Sequence, residues 1–414
     1  MNPAQKLKRN VTDGLISLMN AYTRRKRAAL TSTAPDAQDR PITVFFEATD
    51  FLPLLSDDDR DWVAGGAEVQ QSYLAQGFAH DPRFRVVLAD TIPRPSSLDS
   101  RFSYVQIPAH IKRGLPYVGR LINAARSSRT FDDIELPAVF LQTQFERLDL
   151  TYAARGAGIK IVRWINGDSI VDVGPDINEI TRMHIERRVK PADALVAQST
   201  HQQRLIANNL NRESTVIGSM VPVLSGGDPL PQRFAAQTAL WVGRCHPMKN
   251  PQGYLDLVAK LPDINFIMVA APCDAKQSYQ DEIIAHAQNL PNVEFFYGLS
   301  LERTQQLYAH ATLCVNTSDS EGMPNTFIES SLAGIPTAAL SVNPEGLFIE
   351  ENGCFCAQGD IDALATWIRH IMGEYELYAD RCGKVADMAQ HQWNDQQVID
   401  DYYQLFRQVT SSQA

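Results

Sequence analysis

The chain has 414 residues, 44 % hydrophobic and 21 % charged, with a formal net charge of −10. That length fits two domains better than one, and the composition supplies apolar material for two cores. The acidic balance argues against nucleic acid as a partner, and no apolar run is long enough to cross a bilayer.

Residues 1–40 stand apart as a basic amphipathic extension. Val11, Leu15, Leu18, Met19 and Tyr22 recur at helical spacing, while Lys6, Lys8, Arg9, Arg24, Arg25, Lys26 and Arg27 are opposed only by Asp13. Such a helix either lies on an anionic membrane surface through residues 1–30 or packs on the protein with its basic face in water. No apolar leader core with a small-residue cleavage site is present, so a cytoplasmic location is expected, with peripheral attachment to the inner face of the cell membrane as its variant.

Residues 41–222 alternate short apolar runs with helical stretches. "ITVFF", "FRVVL", "AVFLQ", "IKIVRW" and "ALVAQ" predict strands, and "GAEVQQSYLAQGF" and "FERLDLTYAARGAG" predict helices. This alternation predicts a parallel sheet with helices on both faces. Asp57–Asp59 form a D-x-D, but they follow "FLPLLS" in a loop and predict a solvated acidic turn instead of a metal site. The stretch "IKRGLPYVGRLINAARSSR", within 111–129, carries five cations and no acid among apolar residues, a second candidate for an anionic membrane surface.

Residues 223–237, "VLSGGDPLPQRFAAQ", read as an interdomain linker because their glycines and prolines break any pattern. A second α/β series fills 238–394, with strands at "TALWVG", "INFIMVA", "VEFFYG", "TLCVNT" and "PTAAL". Residues 395–414 predict a last helix whose apolar face, Val398, Tyr402 and Leu405, returns to the first domain. The expected fold is therefore α/β: two doubly wound, Rossmann-like domains facing a cleft, where ligands bind beyond the C-terminal strand ends. The six cysteines are scattered without C-x-x-C spacing, so reduced thiols are expected and no zinc site. A G-x-x-x-x-G-K-[ST] phosphate loop is absent, and "RGAGIKI" precedes a strand, unlike a dinucleotide fingerprint.

The chemistry concentrates in "SDSEGMPNTFIESSLAGIP", Ser318–Pro336. A strand runs out into a loop holding Glu321, Pro324 suits a helix start, and Glu329 falls inside the helix. The first-turn N–H groups at Asn325 and Thr326 suit a phosphate, and carboxylates suit sugar hydroxyls. "LWVGRCHPMKNP" sets Arg244 and Lys249 just after a strand, two cations fit for a diphosphate, with His246 beside them. Gly65 and Gly66, in "WVAGGAEVQ", precede a helix in the first half and let backbone approach a ligand.

Together these features resemble the retaining GT-B glycosyltransferases of glycosyltransferase family 4, over about Pro41 to Gln408. "GRCHPMK" is similar to the family's Arg-x4-Lys element and "EGMPNTFIE" to its Glu-x7-Glu element; "GGAE" resembles its first-domain glycine loop. The resemblance implies transfer of a sugar from a nucleotide-sugar donor to a glycan or lipid-linked acceptor with retention of configuration, as in bacterial polysaccharide or glycolipid synthesis. It implies that Arg244 and Lys249 hold the diphosphate in place of a divalent metal, so neither metal nor cofactor is expected. It gives Glu329 the ribose, Glu321 the transferred sugar, the backbone near Met323, Asn325 and Thr326 sugar and phosphate oxygens, and Gly65 and Gly66 the phosphates across the cleft. Many members carry a histidine near the sugar after a first-domain strand; here Asn166, Gly167 and Asp168 stand there, and Asp168 is the candidate contact. Two other readings share the architecture: a nucleotide-sugar epimerase and a non-catalytic scaffold module.

Overall fold

The computed structural model describes residues 40–56, 64–109, 122–123, 126–127, 129–143, 147–168, 171–172, 185, 189–221 and 227–411. The basic extension, Asp57–Asp59 and most of the 111–129 stretch lie outside those residues.

The first sheet contains β1 (Ile42–Glu47), β2 (Phe84–Asp90), β3 (Ser103–Gln106), β4 (Ala138–Gln142), β5 (Lys160–Trp164), β6 (Ala194–Ala197) and β7 (Thr215–Val216). Its order is β3-β2-β1-β4-β5-β6-β7, with every pairing parallel. The interior strands are buried on both faces, which is why they read as continuous apolar runs. The edge strands β3 and β7 are short and half-exposed, so they leave no such signal. The second sheet contains β8 (Thr238–Arg244), β9 (Asn265–Ala271), β10 (Val293–Tyr297), β11 (Leu313–Asn316), β12 (Thr337–Ala339) and β13 (Phe355–Cys356), ordered β10-β9-β8-β11-β12-β13 and also parallel. In each sheet the strand order reverses beside its first strand, between β1 and β4 and between β8 and β11. Crevices open at such switch points.

The helices that matter in the first domain are α1 (Gly66–His80), α2 (Leu148–Gly156) and α3 (Thr200–Leu210). Those that follow are α4 (Leu230–Ala236), α5 (Pro251–Lys260), α6 (Gln277–Gln288), α7 (Leu301–His310), α8 (Asn325–Leu332), α9 (Ile361–Gly373), α10 (Tyr375–Gln392) and α11 (Asp395–Ser411). Helix α11 leaves the second domain and buries Val398, Ile399, Tyr402, Leu405 and Phe406 in the first domain's core. There Tyr402 meets Phe78 edge-on at 5.5 Å. Gly77 makes that docking possible: a Cβ on it would lie 2.7 Å from both Ile399 Cδ1 and Met220 Cε.

The expected linker at 223–237 needs correction. Its second half is helix α4, which packs Leu230 and Phe234 on the second core and anchors through Arg233, donating to the Ala333 carbonyl at 2.7 Å. The prolines misled because Pro229 caps this helix and Pro231 sits in its first turn, where a missing N–H costs nothing.

Among the described residues, no helix is long and apolar enough to cross a membrane.

Candidate active site

Arg244 ends β8 and is exposed at the cleft. The next residues turn at once. Met248 N–H donates to His246 Nδ1 at 3.1 Å, Pro247–Lys249 form a single 3-10 turn, and Asn250 takes left-handed geometry at φ 48°. Asn250 then caps α5 by accepting from Gly253 N–H at 2.9 Å. The His246 ring is thus a turn cap, with its Nδ1 engaged by the backbone. Thr317, just past β11, donates to the Asn250 carbonyl at 2.8 Å and receives the Trp241 indole N–H at 3.0 Å. These bonds fix the Lys249 turn against the loop that carries Glu321.

The Lys249 ammonium donates to the Glu321 carboxylate, and the side chains are only 18 % and 11 % exposed. Ser318 Oγ donates to the same carboxylate at 2.7 Å. Pro324 then caps α8, whose first turn leaves N–H groups without intrahelical acceptors. The Thr326 hydroxyl in that turn is buried with no hydrogen-bond partner. Met323 is half-buried beside it.

Glu329, one helical turn on, sits in a different environment. It is 5 % exposed, and burial pushes its carboxyl up to about 7, with the Tyr308 hydroxyl of α7 pulling partly the other way. Tyr73 of the first domain lies near enough to feel its charge and accepts from Gln305 Nε2 at 2.6 Å across the domain boundary.

In the first domain, the glycine pair is covered by protein groups. A Cβ on Gly65 would lie 2.4 Å from Glu68 Oε2, because that carboxylate folds back over the start of α1. Burial raises the Glu68 pKa; the backbone N–H groups of Glu68 and Gly65 and the facing charge of Arg244 oppose the rise. The helix end thereby holds its own anion, opposite Arg244. Gly66 meets the second domain directly: its carbonyl accepts from Asn325 Nδ2 at 3.0 Å.

Asp168 follows β5 and is 8 % exposed. It accepts from Gln202 Nε2 at 3.0 Å and lies 3.8 Å from His201 Nε2; burial raises its pKa. Between the domains is a cavity of about 450 Å³ bounded by Asp168, His201, Arg204, Asp319, Glu321 and Glu345. Glu345 spans its far wall with φ 56°, accepting from Thr200 N–H at 2.6 Å and Thr200 Oγ at 2.7 Å.

Glu321 and Asp168 therefore line one cavity, Lys249 is held to it through Glu321, and Glu329 is buried in α8. Arg244 faces the glycine loop, and Asn325 touches it. Glu68, Gln70, Tyr73 and Glu345 carry no role in the sequence reading. Glu68 and Gln70 stand within "WVAGGAEVQ" and Tyr73 within "GAEVQQSYLAQGF", stretches that show their helix but not their partners.

Residues 236–374 match the family described as "Glycosyl transferases group 1". The second domain is thus similar to that of the group 1 glycosyltransferases. The D-inositol 3-phosphate glycosyltransferase of Mycobacterium sp. (strain KMS) is 27 % identical over 168 residues, 37 % of this chain and 38 % of that protein. The chain therefore matches well under half the length of such curated relatives. Among solved structures, Anabaena Alr3699/HepE in complex with UDP and glucose is 16 % identical, with a TM-score of 0.68, covering 89 % of this chain and all of that one (100 %). Sucrose-phosphate synthase from Thermosynechococcus elongatus gives a TM-score of 0.70 at 16 % identity over 90 % of this chain and 100 % of that one. These likenesses fix the architecture of the chain as the two-domain GT-B fold.

Proposed function

We propose that the protein is a glycosyltransferase that moves a sugar from a nucleotide-sugar donor to a glycan or lipid-linked acceptor with retention of anomeric configuration, in bacterial polysaccharide or glycolipid synthesis. The observation that carries this reading is the Lys249–Glu321 contact at the interdomain cavity, beside the open N-terminus of α8. One fixed cation and a set of free N–H groups suit a diphosphate, while the carboxylates beside them suit hydroxyls.

In the reaction the glycosyl–phosphate bond breaks, leaving positive charge on the sugar and negative charge on the nucleoside diphosphate. Lys249, Arg244 and the first turn of α8 at Asn325 and Thr326 stabilise the leaving diphosphate. Glu321 holds the sugar's hydroxyls near the developing cation, and Glu329 takes the ribose. Asp168, across the cavity, contacts donor or acceptor. Gly65 and Gly66 admit the phosphates once the Glu68 carboxylate withdraws. The acceptor oxygen bonds to the anomeric carbon from the leaving-group side, and its proton passes to the departing phosphate oxygen. Preorganised charge of this kind is worth ~2.7–4 kcal/mol per group. The basic segments 1–30 and 111–129 bring the enzyme to an anionic membrane surface, where a lipid-linked acceptor resides.

The likeness to a structure solved with UDP and glucose, and to a D-inositol 3-phosphate glycosyltransferase, supports this reading. Thermal-shift screening against UDP-, GDP- and ADP-sugars tests it, since a ligand that binds only the folded state raises the melting temperature. A shift with one of them that is lost in Lys249→Ala is expected. No shift with any would overturn the donor class. Pelleting with anionic vesicles, with and without residues 1–40, tests the membrane arm.

A further inference from the structure

Gln70 sits in the second turn of α1, is 1 % exposed, and would be an apolar residue if packing alone chose it. Its carboxamide instead makes three hydrogen bonds at one point. Nε2 donates to the Met220 carbonyl at 2.6 Å and to Asn325 Oδ1 at 3.0 Å, while Oε1 accepts from Met220 N–H at 3.0 Å. Met220 lies at the end of the first domain, just before the chain crosses over. Asn325 is the first residue of α8 in the second domain.

The pairing also fixes Asn325. With its oxygen turned to Gln70, its amide N–H must face the Gly66 carbonyl, and it does so at 3.0 Å. One buried side chain thus ties together the glycine loop's helix, the exit from the first domain and the first turn of α8. Both Asn325 contacts bridge the two domains, joining α8 to the start of α1. Buried amides are tolerated when satisfied, so the energy that favours Gln70 comes from these partners.

We propose that Gln70 is a positioning residue that sets closure of the cleft, reading the position of α8 through Asn325 and holding it relative to the crossover at Met220. Its kinetic consequence rests on the glycosyltransferase reading; its structural consequence does not. Saturating donor pulls the cleft shut, so loss of the latch raises the donor KM by about tenfold while kcat changes little, as expected for two lost hydrogen bonds. A merely structural role would lower the melting temperature and the active fraction and leave KM alone.

The test uses the full chain as Gln70→Met, Asn325→Ala and the double variant. Small-angle X-ray scattering without ligand measures the radius of gyration, and turnover is followed with whichever of UDP-glucose, GDP-mannose or ADP-glucose is a substrate. Both single variants are expected to be larger than the wild type and to have a raised KM, and the double variant to be no larger than either. An unchanged radius in both folded single variants overturns the proposal, as does additive opening in the double. If Gln70→Met fails to fold, Asn325→Ala, which leaves the Met220 bonds in place, carries the same expectation. If no nucleotide sugar turns over in the wild type, the functional reading fails while the scattering result still decides the latch.

Discussion

Lys249 and Glu321 are joined by a direct ammonium–carboxylate contact that links the turn after β8 to the loop before α8. Neither side chain is more than 18 % exposed, so the pair is screened less than a surface pair would be. Ser318 occupies a further lone pair of the same carboxylate at 2.7 Å. A cation held this way is oriented before any ligand arrives, which is the condition for electrostatic catalysis to cost no reorganisation.

Lys249→Ala and Glu321→Ala should each unfold cooperatively and lose turnover by about 10²–10³-fold. Because the two residues act on the same bond, the double variant should be little worse than either single one. Steady-state kinetics with a calorimetric check of folding would show this. Retained activity in both single variants would remove the site.

Glu329 gives a pH signature. Its folded pKa is about 7 against an ordinary 4.5, and burial is the cause. As pH rises, the unfolded chain loses this proton first. The stability held by the neutral carboxyl is complete below pH 4.5, falls away through about pH 7, and is flat beyond. The loss is at most on the order of 3 kcal/mol. Glu329→Gln should match the wild type near pH 4.5 and melt higher above pH 7, while binding donor more weakly. Melting curves from pH 4 to 9 decide it; parallel curves for both proteins would contradict it.

Glu345 holds Thr200 across the cavity from a backbone with φ 56°, a conformation costly for a residue with a side chain. Glu345→Ala should lose ~1 kcal/mol by removing a helix cap while keeping the strain. Glu345→Gly loses the cap and relieves the strain, so it should be the more stable of the two. Chemical denaturation of the pair measures the difference; an alanine variant at least as stable as the glycine one would refute the strain.

The proposed role of Arg244 and Lys249 at the diphosphate predicts that turnover should survive chelation of divalent cations, and that added Mn²⁺ or Mg²⁺ should not restore Lys249→Ala. A strict metal requirement in the wild type would contradict the assignment of charge neutralisation to these two side chains.

Much of the architecture is legible in the chain itself. Interior strands such as "AVFLQ" are buried on both faces and so read as apolar runs, and the C-terminal helix shows its seam at Val398, Tyr402 and Leu405. The edge strands β3 and β7 escape because half-exposed backbone pairing imposes no pattern on side chains. Helix α4 escapes because proline in a first turn resembles proline in a linker.

The candidate site's half in the second domain is written locally. Arg244, His246 and Lys249 lie within six residues, and Glu321, Asn325 and Glu329 within nine, because one strand end and one helix start dictate their spacing. Sequence therefore determined which groups are available and on which element each one rides. Only the tertiary structure decided that Glu329 is buried while Glu321 pairs with Lys249, that Glu68 covers Gly65, and that Gln70 meets Asn325 some 255 residues away. Each of these depends on where a single side chain lands, the last of them across two domains, and a single side chain leaves no periodicity to detect.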